Sequence, residues 1–252
     1  MELFDISLLI GIGLVAGAWN AVAGGATLFS FPVLMAVGLP PVVANATNFL
    51  ALSPANLFAL PAYLPELRRV GRQLVPILLC SGAGALIGSA VLIVSDPALF
   101  EALIPVLLLA ATLLFIFGDR LRAALLTRAG DRKSALIVYS TLFLVSIYGG
   151  YFGAGVGVIL LALGQLLGFS DFHMANAIKN ITATSFMLLS IVLFGASGLI
   201  AWPEAITMMI GSAVGGYVGG RFAKRINQTL LRSAVSVFGL TLTAIYAVRV
   251  FF

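Results

Sequence analysis

Apolar residues run through this chain in long blocks, and polar residues gather between the blocks or in a few short stripes. Predominantly apolar stretches occupy residues 74–94, 99–117, 186–200 and 230–252, and further apolar segments occupy 174–198 and 203–220. Several approach or reach the ~20 residues that an α-helix needs to cross a bilayer core. Nothing alternates with the period of two that a membrane barrel demands, so the blocks predict helices, which satisfy their own backbone hydrogen bonds in lipid. Two longer segments, 6–38 and 134–168, are interrupted by "NAVAGGAT" (20–27) and "GGYFGAGVG" (149–157). Each reads as two short helices joined at a glycine-rich break, forming either a thin pair of spans or a re-entrant hairpin.

Composition sharpens this into a class. The chain is 61% hydrophobic and only 9% charged, whereas a soluble domain carries roughly a quarter charged residues. The prediction is an all-α polytopic membrane protein of about ten helical segments. Cys80 stands alone in an apolar run, which suits a small core residue and supports neither a disulfide framework nor a metal cluster. The first residues carry Glu2 and Asp5 rather than the basic start of a signal peptide. No metal and no other cofactor is expected.

Charge placement sets the topology. Twelve of the 14 Lys and Arg residues fall in three clusters. These are Arg68, Arg69 and Arg72; Arg120, Arg122, Arg128, Arg132 and Lys133; and Arg221, Lys224, Arg225 and Arg232. The positive-inside rule places all three in the cytoplasm, including the loop at 118–133. The connections around Asp96 and around Trp202 to Glu204 lack basic residues and are expected outside, as are both termini. The basic balance is thus a topology signal, and no nucleic-acid partner is implied. For the third cluster to return inside, 134–168 must contribute an even number of crossings, which its central break permits.

The chain also repeats itself. "VVANATNFLALS" (42–53) resembles "HMANAIKNITATS" (173–185), and Gly84 and Gly88 match Gly215 and Gly219 at an offset of 131. Gly38 matches Gly168 at 130. The reading is a first transmembrane repeat at 1–121, a basic cytoplasmic linker at 122–133 and a second repeat at 134–252. Equivalent loops carry opposite charge bias, the signature of two inverted-topology repeats with broken or re-entrant helices. Small residues in 82–89 and 211–220, at small-xxx-small spacing, are expected to serve helix packing. "GGYFGAGVG" lacks the strand–turn–helix setting and the downstream acid of a dinucleotide fingerprint.

In such repeats the substrate site lies near the bilayer midplane, where half-helix N-termini aim free N–H groups and a positive dipole at an anion. The candidates from the first half are Asn20, Gly24, Gly25, Thr27, Asn45, Thr47 and Asn48. Those from the second half are Gly153, Gly155, Asn176, Lys179, Asn180, Thr182 and Thr184. Asn45 and Asn48 share one helix face, as do Asn176, Lys179 and Asn180. Amides, hydroxyls and one lysine with no nearby carboxylate suit an oxyanion. Two plainer readings stand beside this one. Lys179 near an interface would snorkel to water, and Asn and Thr would bridge helices for about 0.6 kcal/mol each. His173 beside Asp171 reads as a loop or helix-cap pair. No Asp or Glu lies at the centre of an apolar run, so a coupling proton would have to use Lys179, His173 or the substrate itself.

Two stretches, "GLVAGAWNAVAGGATLFSFPVLMAVGLPPVVANATNFLALSP" (13–54) and "YGGYFGAGVGVILLALGQLLGFSDFHMANAIKNITATS" (148–185), carry a wider likeness. Their order of glycine-rich break, short apolar run and small-polar helix start resembles the TauE/SafE family of sulfite and organosulfonate exporters, over nearly the full length. The resemblance implies a secondary transporter of small sulfur-containing anions in the inner membrane, working by alternating access. "NAVAGGAT" departs from the family's commoner pattern by adding Asn20 and Thr27. An anion channel or a transporter of another small organic anion is the alternative, since the same stripe could line a pore. A coupling proton or ion and a homodimer stay open. A membrane enzyme finds little support in one histidine without a buried carboxylate, and a purely structural factor has no use for paired helix breaks.

Overall fold

The computed structural model describes residues 2–22, 25–58, 60–128, 135–167, 169, 172–222 and 228–251. Eleven α-helices fill them: α1 (Leu3–Val22), α2 (Thr27–Ala36), α3 (Pro41–Leu57), α4 (Leu64–Val70), α5 (Leu74–Val94), α6 (Pro97–Arg128), α7 (Ala135–Tyr151), α8 (Val156–Leu166), α9 (Phe172–Ala196), α10 (Trp202–Phe222) and α11 (Gln228–Phe251). Two 3₁₀ turns, Leu60–Tyr63 and Gly71–Gln73, flank α4. Segments Leu3–Asn20, Leu64–Val94, Pro97–Leu114 and His173–Ala196 are long and apolar enough to cross a membrane. The burial pattern is that of a protein solvated by lipid. Leu79, Val94, Leu136 and Val192 face outward, while Asn45, Thr47, Ser81, Ser89 and Ser212 are fully buried. The chain is an all-helical, multi-pass membrane protein, as its hydropathy predicts.

Both glycine-rich segments interrupt the helices, although α1 before the first break is 20 residues long and not the short helix expected there. Gly25 precedes α2 with φ +82°, and Gly153 and Gly155 precede α8 with φ +78° and +76°. Side chains with a Cβ rarely adopt that left-handed backbone, so the helix stops there and restarts in a new direction. The Tyr148 hydroxyl donates to the Ala154 carbonyl at 2.8 Å and pins the second break. Pro41 opens α3 at a position where its missing N–H is harmless.

Two features depart from the pattern read along the chain. Helix α6 runs through Arg120 and Arg122 to Arg128, past the boundary at 121, so this part of the basic linker is helical. Helix α4, with its 3₁₀ turns, occupies what reads in sequence as a basic loop. Gly24, residues 129–133, Gly168, Asp171, Lys224 and Arg225 lie outside the described residues.

The helix contacts come in matched pairs. Helix α1 packs on α10, and α7 packs on α5; α3 packs on α10, and α9 on α5. The half-helices follow suit, α2 on α3 and α8 on α9, while α3 meets α9 and α6 meets α11. Exchanging α1 with α7, α2 with α8, α3 with α9, α5 with α10 and α6 with α11 turns each of these contacts into another, or leaves it unchanged for α3–α9 and α6–α11. Glycines permit the closest crossings. A Cβ at Gly84 would sit 2.6 Å from the Phe143 carbonyl oxygen, and one at Gly88 would run into Ile147. Their counterparts Gly215 and Gly219 press on the backbone at Leu14 and Ala18 in the same way. Helix α4 has no counterpart: residues 197–201 alone join α9 to α10.

Candidate functional site

Helices α3 and α9 cross antiparallel at the centre of the protein. The direction follows from three hydrogen bonds, which descend along one chain as they ascend the other. Asn176 Nδ2 donates to the Tyr63 hydroxyl at 2.6 Å, Asn56 Nδ2 to Met187 Sδ at 3.6 Å, and the Ala201 N–H to Thr47 Oγ1 at 3.0 Å. Asn56 and Met187 are themselves 131 positions apart, the offset read along the sequence, and they touch each other at the crossing.

A cavity of about 50 Å³ lies there, room for several waters or one small ion. Asn20, Gly25 and Thr27 reach it from the first break, and Gly153, Val156 and Gly157 from the second. Helix α3 contributes Asn48, Phe49, Leu52 and Asn56, while α9 contributes Lys179, Ala183, Phe186 and Met187. The first residues of both half-helices, Thr27 and Val156, therefore stand at one cavity. Helix starts carry unsatisfied N–H groups and partial positive charge.

Asn48 and Lys179, equivalent at the offset of 131, face this space with nothing committed elsewhere. Lys179 is 8% exposed, so it does not snorkel, and among the described residues its ammonium makes no ion pair or hydrogen bond. The Asn48 amide oxygen is buried without a partner. A buried cation without a counterion is strongly disfavoured, and an anion in the cavity would relieve it.

Of the predicted site residues, Asn20, Gly25, Thr27, Asn48, Gly153 and Lys179 line the cavity. The others surround it in different roles. Asn45 Nδ2 donates to the Tyr151 carbonyl at 2.8 Å and ties α3 to the end of α7. Thr47 and Asn176 hold connecting segments through the bonds given above. Gly155 caps α8 against Ala111. The Thr184 hydroxyl returns to the Asn180 carbonyl at 2.8 Å, and Thr182 is buried with its hydroxyl unpartnered. Asn180 is buried beside them. His173 is exposed at the start of α9.

Asn56 is a lining residue that the sequence reading missed, though its signal was present. It follows Asn48 and Leu52 at four-residue steps on one face of α3. Asn20 Nδ2 donates to its Oδ1 at 2.9 Å, joining the first break to α3. The aromatic lining of Phe49, Phe152 and Phe186 carries no such signal, because Phe is common throughout the core.

Comparison with known proteins agrees with this architecture. The model of the sulfite exporter TauE/SafE family matches residues 9–246. The chain belongs to the TauE/SafE family. It is 34% identical over 249 residues to a probable membrane transporter protein of Haemophilus influenzae, covering 95% of this chain and 93% of the relative. Similarity to the probable membrane transporter protein YfcA of Escherichia coli K12 is 25% over 256 residues, covering 96% and 91%. A further relative, the probable membrane transporter protein ORF9 of a Sinorhizobium species, is 25% identical over 254 residues, covering 94% and 90%. No solved structure matches the chain significantly. This TauE/SafE protein is a membrane transporter.

Proposed function

We propose that this TauE/SafE protein is a secondary transporter of a small oxyanion, sulfite or a small sulfonate, which binds between Lys179 and Asn48. The observation that carries the reading is the uncommitted ammonium of Lys179 in a cavity that both half-helix starts reach. Lysine supplies the charge, the Asn48 amide and the starts of α2 and α8 supply N–H donors, and the phenylalanines exclude water. In this reading the two repeats are related by an inverted two-fold axis near the Asn56–Met187 contact, and the basic clusters face the cytoplasm. The Asn176–Tyr63 bond then closes the cytoplasmic side and the Thr47–Ala201 bond the outer side. Breaking one while keeping the other gives alternating access. Nothing in this cycle calls for bond-making chemistry, so the chain works without catalysis.

The test is uptake of sulfite into proteoliposomes, with sulfate, thiosulfate and sulfoacetate as competitors, for the wild type and Lys179→Ala. Saturable uptake that collapses in a folded variant is expected. Uptake that never saturates would favour a channel, and uptake indifferent to the substitution would remove Lys179 from the site.

A further inference from the structure

Among the described residues, buried side-chain oxygens without a hydrogen-bond partner occur at Asn45, Asn48, Thr182 and Glu66. Two of these residues, Asn45 and Asn48, stand one turn apart on the same face of α3. Their side chains are 0% and 1% exposed. An amide oxygen buried without a donor is costly, and two on one face call for a ligand.

The orientation of Asn45 is fixed. Its Nδ2 donates to the Tyr151 carbonyl at 2.8 Å, and a carbonyl only accepts, so the amide oxygen has to point elsewhere. Asn48 lines the cavity together with Phe152 and Gly153, the two residues that follow Tyr151. Both amides are therefore held against the C-terminal end of α7, which carries the partial negative charge of its helix. The backbone there offers a further acceptor. The N–H groups of Phe152 and Gly153 both go to the Tyr148 carbonyl, so neither reaches the carbonyl of Gly149. A Cβ on Gly153 would stand 3.0 Å from the Gly149 oxygen, which sets that oxygen beside a residue of the cavity wall.

Acceptors without donors at the negative end of a helix suit a cation, and hard cations take oxygen ligands. Among the described residues no group of His, Cys, Asp and Glu is placed to hold a metal ion. The oxygens at α7 are neutral, which fits a monovalent ion rather than a divalent one that calls for carboxylates. The second half of the chain offers a parallel. Asn176 and Lys179 stand 131 positions after Asn45 and Asn48, and there the lysine brings a positive charge of its own. On α3 the two asparagines leave that charge to be bound.

We infer that Asn45 Oδ1, Asn48 Oδ1 and the Gly149 carbonyl oxygen bind one sodium ion at the end of α7. The Asn48 amide then serves two ions, its oxygen taking the cation and its Nδ2 the anion in the cavity. Either ion orients this amide for the other, so each raises the affinity for the other by the same factor. That coupling rests on the anion site proposed above; the sodium site does not.

The test measures equilibrium binding of radioactive sodium to purified full-length protein free of sulfur anions. Choline chloride replaces sodium chloride, which holds ionic strength and chloride constant. Saturable binding of a single sodium per chain is expected, and sodium should raise the melting temperature where choline does not. Asn45→Leu removes one of the oxygens and should weaken sodium binding about tenfold or more. Because that variant also loses the tie to Tyr151, Asn45→Asp is the second one: it keeps an oxygen in place and should bind sodium at least as tightly as the wild type. No saturable binding in folded wild type, undiminished binding in Asn45→Leu, or binding lost in folded Asn45→Asp would each overturn the site. A second arm titrates sulfite by calorimetry in sodium and in choline, where affinity should fall about tenfold; equal affinities would overturn the coupling. Sodium binding without binding of any sulfur anion would defeat the transport reading and leave the sodium site. Lys179-dependent sulfite binding in protein that takes up no sodium would do the reverse.

Discussion

Helices α3 and α9 occupy equivalent places, pack on equivalent neighbours and line the same cavity, yet they carry different chemistry. Asn48 on α3 corresponds to Lys179 on α9, and Asn56 corresponds to Met187. Thr47 holds a short connection through a backbone N–H, whereas Asn176 holds a side chain at the foot of an added helix. The scaffold is duplicated and the charge is not. One frame of matched helix contacts thus gives the cavity a single cationic side chain. In the proposed transport cycle, this asymmetry rather than the shared frame would set what is bound.

The frame itself is the hardest thing to break without losing the protein. Gly84→Leu and Gly215→Leu each drive a side chain into the backbone of a neighbouring helix. Both should destabilise by at least about 3 kcal/mol, the upper part of the overpacking range, seen as loss of monodisperse protein on size-exclusion chromatography. Equal damage is expected because the two crossings are counterparts; tolerance at one alone would show that the packing is not duplicated energetically.

Within an intact frame, the α3–α9 difference should appear in affinity. Lys179→Gln removes a charge-assisted bond worth ~1.5–3 kcal/mol, so anion binding should weaken roughly 10- to 100-fold. Asn48→Ala removes a neutral one worth about 1 kcal/mol and should weaken binding roughly fivefold. Titration calorimetry on purified protein separates the two, and equal effects would contradict a lysine-centred site.

Smaller again are the effects on the ties. Tyr63→Phe and Thr47→Val each delete one hydrogen bond of about 1 kcal/mol on opposite sides of the cavity. In a Cys80→Ser background, thiol labelling of Ala183→Cys should quicken from the cytoplasmic side in the first variant and from the outer side in the second. The mildest change is Ser89→Ala. It breaks the 2.7 Å bond from α5 to Ser190 on α9 and should lower thermal stability by about 0.6 kcal/mol, the typical worth of a bond between membrane helices.

Much of this frame is legible in the residues. Long apolar blocks fix the helices, and glycines at 25, 153 and 155 mark the breaks because a positive φ excludes most other residues. Three- and four-residue spacing placed Asn48 and Lys179 on inward faces. Spacing names a face but not the level along it. Asn45 and Asn176 share those faces, yet they meet a helix end and a connecting turn rather than the cavity. Helix α4 escaped notice because Leu64–Val70 is too short to show a helical period and its arginines dominate the reading as a loop.

The most direct test of the account moves the charge. In the transposed variant Asn48→Lys/Lys179→Asn, the cation changes helix but stays at the same cavity. Calorimetric titration with sulfite should show binding abolished or greatly weakened in Lys179→Asn alone and recovered to within about tenfold in the transposed protein. Undiminished binding in Lys179→Asn would contradict the central claim that this one buried ammonium, set between two broken helices, is what holds the anion.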